Sequence, residues 1–255
     1  MKNTQRRKIT MNKSIRSFWL VAALVLGAGL SSLSIADLAP GFNAALQSNA
    51  RPADEKMRDA ARKPGDVLNF VGIEAGMTIL EVSAGAGWYT EILSAAVGPD
   101  GHVIAQNAPR FEERVGDSSR ARAERLGNVD VRFAGVDSLE LSNDVDAAFT
   151  ALNLHDPANR SDEAGIAFLS SIFAVLEPGG VLGLIDHVGV DGQDNTALHR
   201  IQKARAREIL TRAGFEIEAE SDMLMNPADD HTLGIRDESL GRVTDRMLIR
   251  ARKPQ

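Results

Sequence analysis

The sequence predicts a doubly wound α/β fold on a mostly parallel sheet, and three observations carry that expectation. Short apolar runs recur along the chain and alternate with longer stretches of helical periodicity, the order that βαβ units require. The first run, in TILEVSAGAGWYTEIL at 78–93, passes straight into a glycine-rich turn and a helix. The last two runs are joined by a loop with no helical pattern between them, so the alternation ends at the C-terminus.

Thr78, Ile79, Leu80 and Val82 form the first strand, and Ile92, Leu93, Ala96 and Val97 share one face of a helix over 89–97. Gly98-Pro99-Asp100-Gly101 is a turn signal, and a second strand follows at 101–105. A helix is expected at 111–126, a third strand at 131–135 and a fourth at 145–150. The helix at 162–176 stops at Pro178-Gly179-Gly180, since neither residue type favours a helix interior, and a fifth strand runs on through Asp186. A helix around 195–212 precedes a sixth strand from Ala213 to about Met223, and the alternating run at 245–250 is the seventh.

The turn after the first strand carries the chemistry. Gly85 and Gly87, with the small Ser83, Ala84 and Ala86, let backbone approach a ligand closely, at the strand end where doubly wound sheets hold nucleotide-like molecules. A dinucleotide fingerprint needs a third glycine where this chain has Thr90, and an acid about 20 residues further on. The alternative template, acid-x-G-x-G-x-G, cradles S-adenosylmethionine (SAM). Glu81-x-Ser83-x-Gly85-x-Gly87 meets it with Ser83 in place of the first glycine. A carboxylate there suits a ligand that carries a sulfonium and an ammonium but no pyrophosphate.

RDAARKPGDVLNFVGIEAGMTILEVSAGAGWYTEIL at 58–93, NLHD at 153–156, IDH at 185–187, LHRI at 198–201 and MNPADDHTLGIRDESLGRVTDRMLIRARKP at 225–254 together resemble a family of exported, predicted methyltransferases of Gram-negative bacteria, within the class I SAM-dependent superfamily. LEPGG at 176–180 and LTRAGF at 210–215 are similar to that superfamily's wording at the same places. The resemblance covers about residues 50–254. It implies a Rossmann-like class I methyltransferase fold, a seven-stranded mostly parallel sheet with a C-terminal antiparallel hairpin, and SAM as cofactor. By position it carries cofactor contacts onto Glu81, Ser83, Gly85 and Gly87. It further implies Tyr89 beside the methionine portion, Asn107 (with Gln106) near the ribose, and Asp137 near the adenine. An acid is usual where Asn107 stands, and an amide binds hydroxyls without charge assistance. Tyr89 reads equally well as core, and Asp137 as a turn cap.

If that topology holds, four of the five histidines fall on the ligand edge of the sheet: His155, His187, His199 and His231, with His102 at the opposite edge. Neutral imidazole can take a proton from a methyl acceptor near neutral pH. His155 is the first candidate, oriented by Asp156, and His187 the second; for any one of them a hydrogen-bonded loop residue is the plainer reading. His155, His187, His231 and Asp230 are metal-ligand types, but their spacings match no standard motif, so no metal is assigned.

Residues 1–36 read as a secretory signal peptide: Lys2, Arg6, Arg7, Lys8, Lys13 and Arg16 precede an apolar run from Phe18 to Leu30, with small residues before a cleavage point. An uncleaved anchor is the alternative, and either way the domain lies outside the cytoplasm, in the periplasm. Residues 37–52 read as a tether and 53–255 as the methyltransferase-like domain. Loss of the six basic and no acidic residues of 1–36 takes the formal charge from −6 to −12. So acidic a surface argues against nucleic acid as partner; a small-molecule substrate is expected instead, with membrane contact only through the signal segment if it is uncleaved. The chain has no cysteine and hence no disulfide or thiol chemistry. Two function classes therefore stand: a SAM-dependent methyltransferase acting on a small molecule or envelope component, and a non-enzymatic exported protein of the same fold that binds another nucleoside-type ligand or a protein. An NAD-linked oxidoreductase is disfavoured by Thr90 and the missing acid.

Overall fold

The computed structural model describes residues 37–255; the signal segment assigned to 1–36 lies outside the described residues. Strands β1 (Thr78–Val82), β2 (His102–Asn107), β3 (Val129–Phe133), β4 (Val145–Ala151) and β5 (Leu176–Gly189) pair in parallel, with β1 between β2 and β4. The two-residue β6 (Ile201–Gln202) pairs with the end of β5, while β7 (Glu216–Ser221) and β8 (Arg246–Arg252) form an antiparallel hairpin. β8 lies antiparallel to β5, so the order is β3-β2-β1-β4-β5-β8-β7. This is the mostly parallel sheet with a C-terminal hairpin that the sequence predicts.

Both faces of the sheet are covered, which is why its central strands read as apolar runs rather than as alternating ones. Successive residues point to opposite faces. Leu80, Val82, Leu182 and Leu184 therefore pack with α8 (Asp162–Val175) and α9 (Lys203–Arg212). Ile79, Ala147, Phe149 and Ile185 pack on the other face, with α4 (Pro64–Val71) and α5 (Trp88–Val97). Helix α6 (Glu112–Leu126) connects β2 to β3, and the short α7 (His155–Arg160) follows β4.

Three expectations differ from what is found. Residues 37–52, read as a tether, contain α1 (Phe42–Gln47), whose Phe42 and Leu46 are buried, and the Ala39 amide donates to the Ala96 carbonyl at 2.8 Å. This segment packs on the domain, and its helix escapes a periodicity reading because it has only 6 residues. It leads through α2 (Ala53–Lys56) and α3 (Asp59–Arg62) into α4. Next, β5 starts at Leu176 rather than beyond Gly180, since Leu176 is already extended and pairs with Val145 across a register shift. Last, residues 195–200 are turns rather than helix: Asn195 donates its side-chain amide to the Val190 carbonyl and Asp194 accepts from the Ala197 amide, local bonds that compete with a helix.

Candidate functional site

A cavity of about 420 Å³ opens at the carboxyl ends of β1 to β4, lined among others by Ser83, Gly85, Asn107, Phe111, Asn153 and Asp156. Its size is that of a small-molecule site. The turn that borders it is left-handed at Ser83 (φ 57°), Gly85 (φ 62°) and Gly87 (φ 89°). A Cβ added at Gly85 would meet nothing within 4 Å, so that backbone faces open space. At Gly87 a Cβ would lie 2.9 Å from the Arg122 side chain, so this glycine answers to packing rather than to a ligand.

Two neutral amides at the end of β2 brace the turn. The Ser83 amide donates to Gln106 Oε1 at 3.0 Å, and the Gly85 amide to Asn107 Oδ1 at 2.8 Å. Asn107 Nδ2 donates back to the Gly85 carbonyl at 3.3 Å, and Gln106 Nε2 to the Ala134 carbonyl at 2.6 Å. An acid in place of Asn107 could accept but not donate, so the amide locks Gly85 from both sides. Asn107 thus reaches the cavity with its side chain already engaged.

Glu81 is at the turn but not at the cavity. It shares the α5 face of the sheet with Ile79, is buried, and accepts from the Thr90 hydroxyl at 2.5 Å. Burial raises its pKa from 4.5 to about 8, against the lowering influence of Thr90 and Arg122, so the group is mostly protonated at neutral pH. Tyr89 is core, its ring 4.5 Å from that of Trp88 and 4.6 Å from that of Phe149. Asp137 is exposed in a 3-10 turn and accepts from the Ser138 hydroxyl, while its neighbours Gly135 and Val136 line the cavity. Of the seven positions carried over by resemblance, Ser83, Gly85 and Asn107 line the cavity and Glu81, Gly87, Tyr89 and Asp137 do not.

The histidines meet on the other flank. His155 opens α7, and both its backbone amide (2.8 Å) and its Nδ1 (2.7 Å) engage the carboxylate of Asp186, which is wholly buried. Asp186 therefore holds the proton on Nδ1 and leaves Nε2 free. Asp156, expected to orient His155, instead lies 3.4 Å from that Nε2. Burial lowers the pKa of His155, but the hydrogen bond and charge of Asp186 and the charge of Asp156 outweigh it and leave the pKa raised. His187 is the opposite case: burial, with Arg246 and His155 adding to it, pushes its pKa to about 2. It is a neutral ring whose Nδ1 contacts the Thr244 hydroxyl at 2.6 Å, and it serves poorly as the second proton acceptor the sequence suggests.

His199 Nδ1 lies 3.1 Å from Asp156, and the His155 ring centroid is 5.6 Å from that of His187 and 5.8 Å from that of His199. His231 pairs with Asp245 at 2.9 Å and Asp230 accepts from Thr232, so the grouping of His155, His187, His231 and Asp230 is not formed. Arg200 clamps the loop that carries them: it forms a fully buried ion pair with Asp229 at 2.9 Å and donates to the Val188 and Leu233 carbonyls. His102 sits at the opposite edge, 3.7 Å from Asp130. The functional residue that sequence reasoning misses is Asp186. Its signal is an acid at the buried end of a core strand, where only a partner makes a carboxylate tolerable.

A family model for protein-L-isoaspartate(D-aspartate) O-methyltransferase (PCMT) matches residues 57–140, from just before α3 through the glycine turn to beyond β3. The ubiquinone/menaquinone biosynthesis C-methyltransferase UbiE of Pasteurella multocida is 30% identical over 120 residues, 47% of this chain and 43% of the relative. The chain's match thus spans less than half the length of that curated relative. Among solved structures, a SAM dependent methyltransferase from Aquifex aeolicus superposes with a TM-score of 0.57 at 24% identity, covering 79% of this chain and 98% of the other. A possible exported protein from Bordetella parapertussis superposes with a TM-score of 0.51 at 16% identity, covering 78% and 68%.

Proposed function

We propose that this chain, which belongs to the class I SAM-dependent methyltransferase superfamily, transfers a methyl group from SAM to a small molecule or an envelope component in the periplasm. The observation that carries the reading is the cavity of about 420 Å³ at the strand ends, bordered by a left-handed turn whose Gly85 backbone is open to it. An adenosyl ligand fits such a place because backbone amides and small side chains can approach it there. Ser83, Gly85 and Asn107 would hold it, with the Asp156 carboxylate on the same cavity wall as a counter-charge to a sulfonium. Bound SAM supplies an electrophilic methyl group. The chain's own part is to hold the acceptor in line with it and to keep water out, worth most of the rate in such a transfer. His155, tied by Asp186 and next to the cavity-lining Asp156, is the side chain we assign to the acceptor side. The PCMT family is named for O-methylation of isoaspartate or D-aspartate in protein and UbiE for C-methylation in ubiquinone/menaquinone biosynthesis; they share methyl transfer, and only that is carried over.

Export is supported by the basic-then-apolar segment at 1–36 and by the likeness to a possible exported protein. The test of function is calorimetry and thermal shift with SAM and S-adenosylhomocysteine. Saturable binding of either is expected, and His155→Ala should keep that binding and lose turnover. No heat and no shift with either ligand at millimolar concentration overturns the reading. The second reading, a non-enzymatic binder of another nucleoside-type ligand or a protein, is favoured by two observations. Ser83 stands for a glycine, and Asn107, where an acid is usual, is spent on Gly85. A co-purified ligand identified by mass spectrometry separates the two.

A further inference from the structure

We propose that His155, Asp156 and His199 form a binding site for a divalent transition-metal ion of the zinc type. His155 Nε2 lies 3.4 Å from Asp156 Oδ1, and His199 Nδ1 lies 3.1 Å from the same oxygen. The three donor atoms all lie within 4.8 Å of one another. Metal–ligand bonds of about 2.0–2.2 Å in tetrahedral geometry put neighbouring donors about 3.3–3.6 Å apart. The 3.4 Å separation falls within that range and the 3.1 Å separation just below it, so these donors need only a small adjustment to take an ion.

Three further features distinguish this trio from a chance surface cluster. Asp186, wholly buried, accepts a hydrogen bond from Nδ1–H of His155 and from the backbone amides of His155 and His187 as well. A carboxylate behind a coordinating imidazole fixes its tautomer and aims its free nitrogen, the usual support of a metal-bound histidine. His199 holds a left-handed backbone (φ 55°), a strained conformation for a non-glycine residue. Its neighbour Arg200, clamped to Asp229, keeps that conformation in place. Lastly, the ion-pair partners of Asp156 among the described residues are the two imidazoles, with no arginine or lysine to neutralise it.

Two imidazoles and one carboxylate suit Zn²⁺ or Co²⁺ better than Mg²⁺ or Ca²⁺, which prefer oxygen. Three protein ligands leave a fourth position for water or an oxygen of a substrate, beside the cavity that Asp156 lines. Coordination uses the lone pair of His155 Nε2, so with the ion bound His155 is a ligand and not a proton acceptor. The site shares His155 and Asp156 with the proposed reaction, but its test reads metal and not turnover, so the two readings fail separately.

The experiment is titration of the metal-free full chain with Co²⁺, followed by visible absorption, and with Zn²⁺, followed by calorimetry. One ion per chain is expected, with the absorption of a four- or five-coordinate site. Asp156→Ala and His199→Ala, both on partly exposed side chains that the core does not need, should each weaken binding at least tenfold. Asp186→Asn should weaken it by about 10–100-fold through His155. His102→Ala, at the far edge of the sheet, should leave it unchanged. Thermal melting of each variant checks its folding, and the two exposed variants decide the matter if Asp186→Asn unfolds. Absence of saturable binding, or binding that survives both Asp156→Ala and His199→Ala, overturns the proposal.

Discussion

Glu81→Gln separates a buried brace from a cofactor contact. Glu81 is 3% exposed, its pKa rises from 4.5 to about 8 on folding, and the cause is burial. Between those values the folded chain keeps a proton that the unfolded chain releases, so stability falls as pH rises. The contribution is whole below 4.5 and is lost as pH passes through about 8. The full span corresponds to about 5 kcal/mol, of which about 3 kcal/mol is gone by pH 7. Glutamine keeps an oxygen for the Thr90 hydroxyl and has no proton to lose. Glu81→Gln should therefore overtake the native chain by a margin that grows from about pH 5 to about pH 8 and reaches up to about 3 kcal/mol at pH 7. Urea unfolding midpoints across that range measure it. A margin that does not change with pH would show that Glu81 is ionised in the fold, with Arg122 as its counter-ion, and would refute the reasoning. SAM affinity supplies a second readout. Because the carboxyl does not line the cavity, the Kd should move by less than about threefold, whereas a direct charge contact would cost tenfold or more, about 1.4 kcal/mol.

Ser83→Gly should raise stability by up to about 1 kcal/mol, read as a Tm gain, because φ 57° strains a serine and suits a glycine. A lower Tm would mean that the hydroxyl has a role in the fold. Asp229→Ala should cost about 3–5 kcal/mol in urea unfolding, since it strands the buried guanidinium of Arg200. A loss below about 1 kcal/mol would show that water reaches the pair. Phe42→Ala should cost about 3 kcal/mol if the α1 segment is part of the packed domain, and nothing if it is a tether.

The sheet was legible in the sequence because its central strands β1, β2 and β4 are buried on both faces and so appear as short apolar runs, which the edge strand β3 does not. The helix after the glycine turn was legible because one of its faces must meet that sheet. What was not legible is what joins strand ends to one another. Asn107 braces Gly85 across 22 residues and Asp186 holds His155 across 31. Neither contact has a local signature; both follow from which residues the strands bring level. Val82 stands opposite Gln106, which sets Ser83 and Gly85 beside the amides, and Ala151 stands opposite Ile185, which brings Asp186 under the start of α7.

Parity along β1 was available from the sequence and would have corrected one assignment. Ile79 and Glu81 are two residues apart and so share a face, as Leu80 and Val82 share the other. Ile79 packs with Ile92 and Leu93 of α5, so Glu81 must point at the same helix, where Thr90 receives it. An acid at that position therefore ties the strand to the helix beneath the turn, and the parts of the turn that reach the cavity are the backbone of Ser83 and Gly85. The same logic explains why Ser83 is tolerated where a glycine is usual. Its amide is held by Gln106, so the turn is kept in its left-handed shape by a neighbouring strand rather than by its own composition. The shape of this turn depends on backbone geometry that β2 enforces, and a motif read residue by residue along one strand cannot contain it.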